Sequence, residues 1–301
     1  MTERRDRQEP KGPQGRFGRL ELGPREAGAG GAGKAPTGPE RVRARTEEVA
    51  DSAHSGSHVG TPIRTPAHHF AAAVEARNGG RFETALQLYT RALQGERALV
   101  PAWVGQVQML VELGEYAEAR LWADKALEVF KGNGDLLAAK AIACVREDDQ
   151  TAAMACSDAS LRAPGSSPLR WQARGETLLR RSADRARDCF EKSLAEAASD
   201  WFDRVIVARI YLHHDRPAPA VEYAQAAVRL EAGQWFAGFV LGRAQEALGW
   251  SGEAKESYLR AHGLPGGRVD AEAAMVALQA RGAAAGILAR LRHGFKGLFR
   301  R

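Results

Sequence analysis

Residues 239–261 read FVLGRAQEALGWSGEAKESYLRA. Small and apolar residues recur three or four apart on both sides of Leu248-Gly249, which predicts two short helices joined by a tight turn. Ala254, Tyr258 and Ala261 share one face of the second helix. The same pattern recurs upstream as Ala85, Tyr89, Ala92; Ala119, Ala123, Ala126; Ala152, Cys156, Ala159; Ala186, Phe190, Ser193; and Ala220, Ala224, Ala227. From Ala92 to Ala261 the last members step by 34, 33, 34, 34 and 34 residues. A period kept through six units marks a repeat architecture. Only small side chains let the helix backbones approach at the crossings, and the aromatic rings fill the gaps between units. No unit buries its apolar face alone, so stability has to come from neighbours.

With these residues the chain resembles the tetratricopeptide repeat family over about two thirds of its length. In 239–261 the family's positions are held by Leu241-Gly242, Leu248-Gly249, Ala254, Tyr258 and Ala261. In LVELGEYAEARLWADKAL, residues 110–127, they are held by Leu113-Gly114, Tyr116, Ala119 and Ala126. Trp103, Trp171 and Trp235 stand at or near the starts of first helices, and Pro164 closes a unit. Two units depart from the pattern, with Arg146-Glu-Asp-Asp149 and Arg180-Arg181 where a Gly turn is expected. The resemblance implies an all-α fold: a right-handed α-solenoid of about six helix-turn-helix units over 66–268. The units are expected near 66–100, 101–134, 135–167, 168–200, 201–234 and 235–268.

The flanks read differently. Residues 1–65 are rich in Gly, Pro, Arg and Glu and poor in large apolar residues, the composition of a disordered segment. Within them GAGGAGKA, residues 28–35, fits a phosphate loop at Gly28, Gly33 and Lys34, and a dinucleotide fingerprint at Gly28, Gly30 and Gly33. Either site needs a buried strand before it and a helix after it. Here LELGPRE precedes, Pro36 and Pro39 obstruct a following helix, and Ala35 replaces the Ser or Thr that holds the metal. The stretch is expected to be a flexible linker, with no cofactor and no enzyme.

Residues 269–301 are expected to form a C-terminal cap with a basic amphipathic helix. The whole net charge of +6 lies in Arg281, Arg290, Arg292, Lys296, Arg300 and Arg301, so the preceding body is neutral. That balance argues against a nucleic-acid partner, which calls for a basic face along the body. In GILARLRHGFKGLFRR the apolar face includes Leu291, Phe295 and Phe299, with Lys296 and Arg300 on the basic side. Such a helix either caps the solenoid or lies on anionic lipid. The three cysteines have no framework spacing, and no apolar run suits a signal peptide or membrane span. A cytoplasmic location is expected, with the inner membrane face as the alternative.

The resemblance places function on the concave face, lined by the first helix of each pair. Groove-facing positions then include Phe70, Val74, Val104, Gln108, Leu137, Gln172, Glu176 and Arg180, followed by Phe202, Val205, Arg209, His213, Phe236, Phe239 and Arg243. Phe70, Val104, Gln108, Gln172, Arg180, Phe202, Arg209, Phe236, Phe239 and Arg243 are the candidate partner-binding residues. Phe mixed with Arg suits a protein or peptide with apolar anchors and acidic character. The Lys/Asn/Arg carboxylate clamp of the family's heat-shock chaperone binders has no counterpart, because Phe70, Val74, Val104 and Gln108 fill its expected positions. No metal site is expected: His213-His214 are adjacent at a helix end, where their rings point apart, and no Cys or carboxylate completes a ligand set. The cysteines sit at packing positions, where a thiolate is costly.

Overall fold

The computed structural model describes residues 65–197 and 200–281. Six helix pairs follow one another: α1 (Pro66–Asn78) with α2 (Phe82–Gly95), α3 (Val100–Glu112) with α4 (Tyr116–Val129), and α5 (Gly134–Arg146) with α6 (Gln150–Arg162). Then come α7 (Pro168–Leu178) with α8 (Ala183–Glu196), α9 (Trp201–His213) with α10 (Pro217–Leu230), and α11 (Trp235–Ala247) with α12 (Ser251–His262). A further helix, α13, runs over 268–281 to the end of the described residues. Among the described residues no helix is long and apolar enough to cross a membrane.

Local chemistry sets these boundaries. Proline occupies the first turn of α1, α3, α7 and α10, where its missing N–H costs nothing. The side chains of Thr65, Asn133, Asp149, Ser182 and Asp200 accept first-turn N–H groups, which caps α1, α5, α6, α8 and α9. The turns inside five of the six pairs share one device. A left-handed residue ends the first helix: Gly80, Gly114, Asp148, Asp215 and Gly249. The next residue then donates its N–H back five positions: Arg81 to Ala76, Glu115 to Leu110, Asp149 to Cys144, Arg216 to Tyr211 and Trp250 to Gln245, each at 2.9 Å. This is the Schellman closure. The departure at Arg146–Asp149 thus changes the residue but keeps the geometry. The fourth pair differs: Ser182 N–H reaches back four residues, to Leu178, at 2.9 Å.

The repeated small residues are the crossing points. Ala85, Ala92, Ala119, Ala123, Ala126, Ala186, Ala220, Ala224, Ala227, Ala254 and Ala261 are fully buried. In the third unit the buried residues of α6 are Ala153, Ser157 and Ser160, one position beyond the expected Ala152, Cys156 and Ala159. The hydroxyl of Ser160 donates to the Gly134 carbonyl at 2.7 Å, which lets a polar residue take the crossing position. Glycine serves close approach in two pairs: a Cβ on Gly175 would press into the Phe190 ring, and one on Gly242 would press into the Tyr258 ring.

The stack also closes on itself. Phe82, at the start of α2, meets Phe236 of α11 edge to face at 5.6 Å. The Arg209 guanidinium of α9 lies over both rings, 4.9 Å from Phe82 and 5.6 Å from Phe236. Arg77 of α1 lies 4.9 Å over Phe202 of α9. The first and last pairs therefore touch across the concave side.

Candidate functional site

Five first helices wall one cavity of about 500 Å³. α1 contributes Phe70, Val74 and Arg77; α3 contributes Val104, Gln108 and Glu112; α5 contributes Asp135, Ala139, Ile142 and Arg146. α7 adds Gln172 and Glu176, and α9 adds Phe202, Asp203, Ile206 and Ile210. Spacings of three and four residues put each set on one helix face. A second cavity of about 540 Å³ opens at the C-terminal ends of α3, α9 and α11, lined by Glu112, Tyr116, Arg146, Arg209, His213, Phe239 and Arg243 among others.

A buried ion network separates the two cavities. Arg209 forks onto Glu112, with Nε to Oε2 at 2.8 Å and Nη2 to the same oxygen. Arg146 Nε donates to Glu176 Oε1 at 2.8 Å, and its Nη1 lies 4.0 Å from Glu112 Oε1. His214 Nε2 lies 3.2 Å from Glu176 Oε1. Burial alone would raise the Glu112 carboxyl, but the Arg209 and Arg146 charges outweigh it and hold it below the usual carboxylate range. Glu176 behaves likewise: burial opposes its charge, and Arg146 and His214 override that effect. Asp203 goes the other way. Burial, then the nearby Asp200 charge, pushes it up, although Gln172 Nε2 donates to it at 2.5 Å.

The sequence candidates distribute unevenly over this geometry. Phe70, Val104, Gln108, Gln172 and Phe202 line the first cavity, and Arg209, Phe239 and Arg243 line the second. Phe236 lines neither pocket; it is buried against Phe82. Arg180 lies beyond α7 in the turn, paired with Asp148 at the surface. Val205 is fully buried, and Leu137 is off the lining face of α5. Arg209, expected to hold a partner's carboxylate, holds Glu112 instead. The sequence reading missed Arg77, Asp135, Ile142, Arg146 and Ile206. A usable signal existed, since Glu112 and Arg146 stand 34 residues apart at the ends of equivalent helices. Leu291, Phe295, Lys296, Phe299 and Arg300 lie outside the described residues, as does the Gly-rich stretch at 28–35.

The cysteines and histidines add two local details. Cys144 and Cys189 are buried, but Cys156 is only partly so. A hydrogen bond from Cys144, helped by Lys140, pulls the Cys156 thiol down to about 7, while that bond and burial hold Cys144 up. The histidine pair also gains a carboxylate: Glu176, 37 residues before His213, comes within ligand distance of both rings.

No family model and no curated protein matches the chain. Among solved structures, a tetratricopeptide repeat protein from Parabacteroides merdae is 16% identical, with 73% of this chain and 86% of that one covered and a TM-score of 0.46. A thermophilic TPR protein from Thermus thermophilus is 15% identical, covering 71% of this chain and 99% of that one at a TM-score of 0.45. A chain of the APC/C hetero-tetramer Cut9–Hcn1 is 12% identical at a TM-score of 0.45, and the match covers 72% of this chain but only 44% of that one. These likenesses are distant, so the fold rests on the repeat and on the helix pairs that carry it. By its period, its paired helices and their order, the chain has the helix-pair solenoid fold that tetratricopeptide repeats form.

Proposed function

We propose that the chain is a non-catalytic scaffold that binds a peptide or protein segment on its concave face. The observation that carries this reading is the first cavity, walled by the first helices of five consecutive units. Phe70, Val74, Val104, Ile142 and Ile206 offer an apolar seat, while the Gln108 amide supplies both a donor and an acceptor for a peptide backbone. Because Arg209 is committed to Glu112, recognition rests more on an apolar anchor than on a carboxylate. Arg243, exposed at the second cavity, keeps a role for an acidic partner group.

The test is selection of displayed peptides against the full chain, followed by binding to Gln108→Arg and Val74→Trp variants and to Lys125→Glu on the outer helix α4. Loss of binding in the first two and retention in the third is the expected result. Equal binding by all three, or no selected peptide, would count against the reading.

A second reading is supported by the concentration of the net +6 charge in 281–301: a peripheral scaffold on anionic lipid. Co-sedimentation with anionic vesicles should then fall in a full-length Lys296→Glu, Arg300→Glu variant. Unchanged sedimentation removes that reading and leaves the groove proposal intact.

A further inference from the structure

His213 ends α9 and His214 follows it in the turn, so the two adjacent rings are not held in helical register. Their centroids lie 5.0 Å apart at 87°, and Tyr116 packs edge-on against His213 at 6.0 Å. Glu176 of α7 approaches both rings, and one ligand atom from each of the three residues lies within 4.8 Å of the others. His214 Nε2 and Glu176 Oε1 are 3.2 Å apart.

The carboxylate itself supplies an independent observation. Glu176 is fully buried, and while Oε1 serves Arg146 and His214, Oε2 has no hydrogen-bond partner. A buried, ionised oxygen without a donor is costly, and a cation satisfies it. Arg146 would remain on Oε1 and orient the carboxylate, as outer partners of metal ligands do. Its charge opposes a dication, but Glu112, 4.0 Å from Arg146, offsets part of that repulsion.

We propose that Glu176, His213 and His214 form a binding site for a divalent transition-metal ion of the zinc class. Two imidazoles and one carboxylate suit zinc or cobalt(II) better than calcium or magnesium, which prefer all-oxygen sets. Three protein ligands leave a fourth position. His213 lines the second cavity, so that position is reached from there by water or by a carboxylate or imidazole of a bound partner.

The test is titration of the tag-free full chain with Co²⁺, read by visible absorption, with Zn²⁺ competition and calorimetry. One ion per chain is expected, with an imidazole–carboxylate spectrum lacking thiolate charge transfer. His213→Ala, at an exposed ring, and Glu176→Gln should each weaken affinity at least ~10-fold, while Cys156→Ser should leave it unchanged. No binding by the full chain, or undiminished binding by His213→Ala, would overturn the proposal. Because Glu176→Gln also disturbs the pair with Arg146, His213→Ala is the deciding variant, with circular dichroism confirming that it is folded.

Discussion

At the residue scale, two aspartates carry the clearest consequences. Asp148 and Asp215 adopt the left-handed conformation that Gly80, Gly114 and Gly249 take in equivalent turns, with φ of 66° and 52°. A Cβ is strained there, and glycine is not. Asp148→Gly should therefore raise stability by about 0.5–1 kcal/mol, measured by urea denaturation. Loss of its surface pair with Arg180 subtracts little. A lower midpoint would show that the turn does not need that geometry. Asp203 is a pH-dependent liability. Its folded-state value lies above the unfolded one, so its charge opposes folding at neutral pH. That penalty disappears as pH falls through the folded value towards the ordinary carboxylate range. Asp203→Asn keeps an acceptor for Gln172 and should melt higher than the parent at pH 7, with the gap closing towards pH 4. A gap that widens on acidification would reverse the assignment.

At the element scale, the helix pairs were legible because propensity, turn chemistry and apolar spacing agree in each unit. The first helices of the six pairs begin at Pro66, Val100, Gly134, Pro168, Trp201 and Trp235, one per repeat. The register of α6 was not legible. Ala152, Ala153, Cys156, Ser157, Ala159 and Ser160 are all small, so two adjacent faces satisfy the same pattern. Only the packing, with Ala153, Ser157 and Ser160 buried, selects between them. Ala153→Leu should then overpack the crossing and cost about 1–3 kcal/mol, while Ala152→Leu, on the half-buried side, should cost clearly less. Thermal denaturation of the two variants separates the registers, and the opposite order would restore the original one.

At the scale of the whole molecule, the repeat predicts a concave face but not its closure. Phe236 and Arg209 read as groove residues because their positions along the helix are those of a groove. Contacts between distant units bury the ring and engage the arginine: Glu112 and Arg209 are 97 residues apart in sequence. Single-repeat logic carries no information about such pairs. Glu112→Gln tests their weight. It leaves two buried or partly buried guanidinium groups short of a carboxylate, a loss of about 3–5 kcal/mol for a fully buried pair. Arg209 keeps 26% of its side chain exposed, so the lower end is expected. A Glu112→Leu, Arg209→Met double variant should lose less than the sum of its single variants. Additive losses would mean that the contact does not hold the second and fifth units together.

The central claim is that the first helices, acting together, hold a peptide. Hydrogen–deuterium exchange on the full chain, with and without a selected peptide, tests it most directly. Added protection should concentrate in α1, α3, α5, α7 and α9, around Val74, Val104, Ile142, Gln172 and Ile206. Protection confined to the outer helices α2, α4, α6, α8 and α10 would place the partner on the convex face and contradict the account.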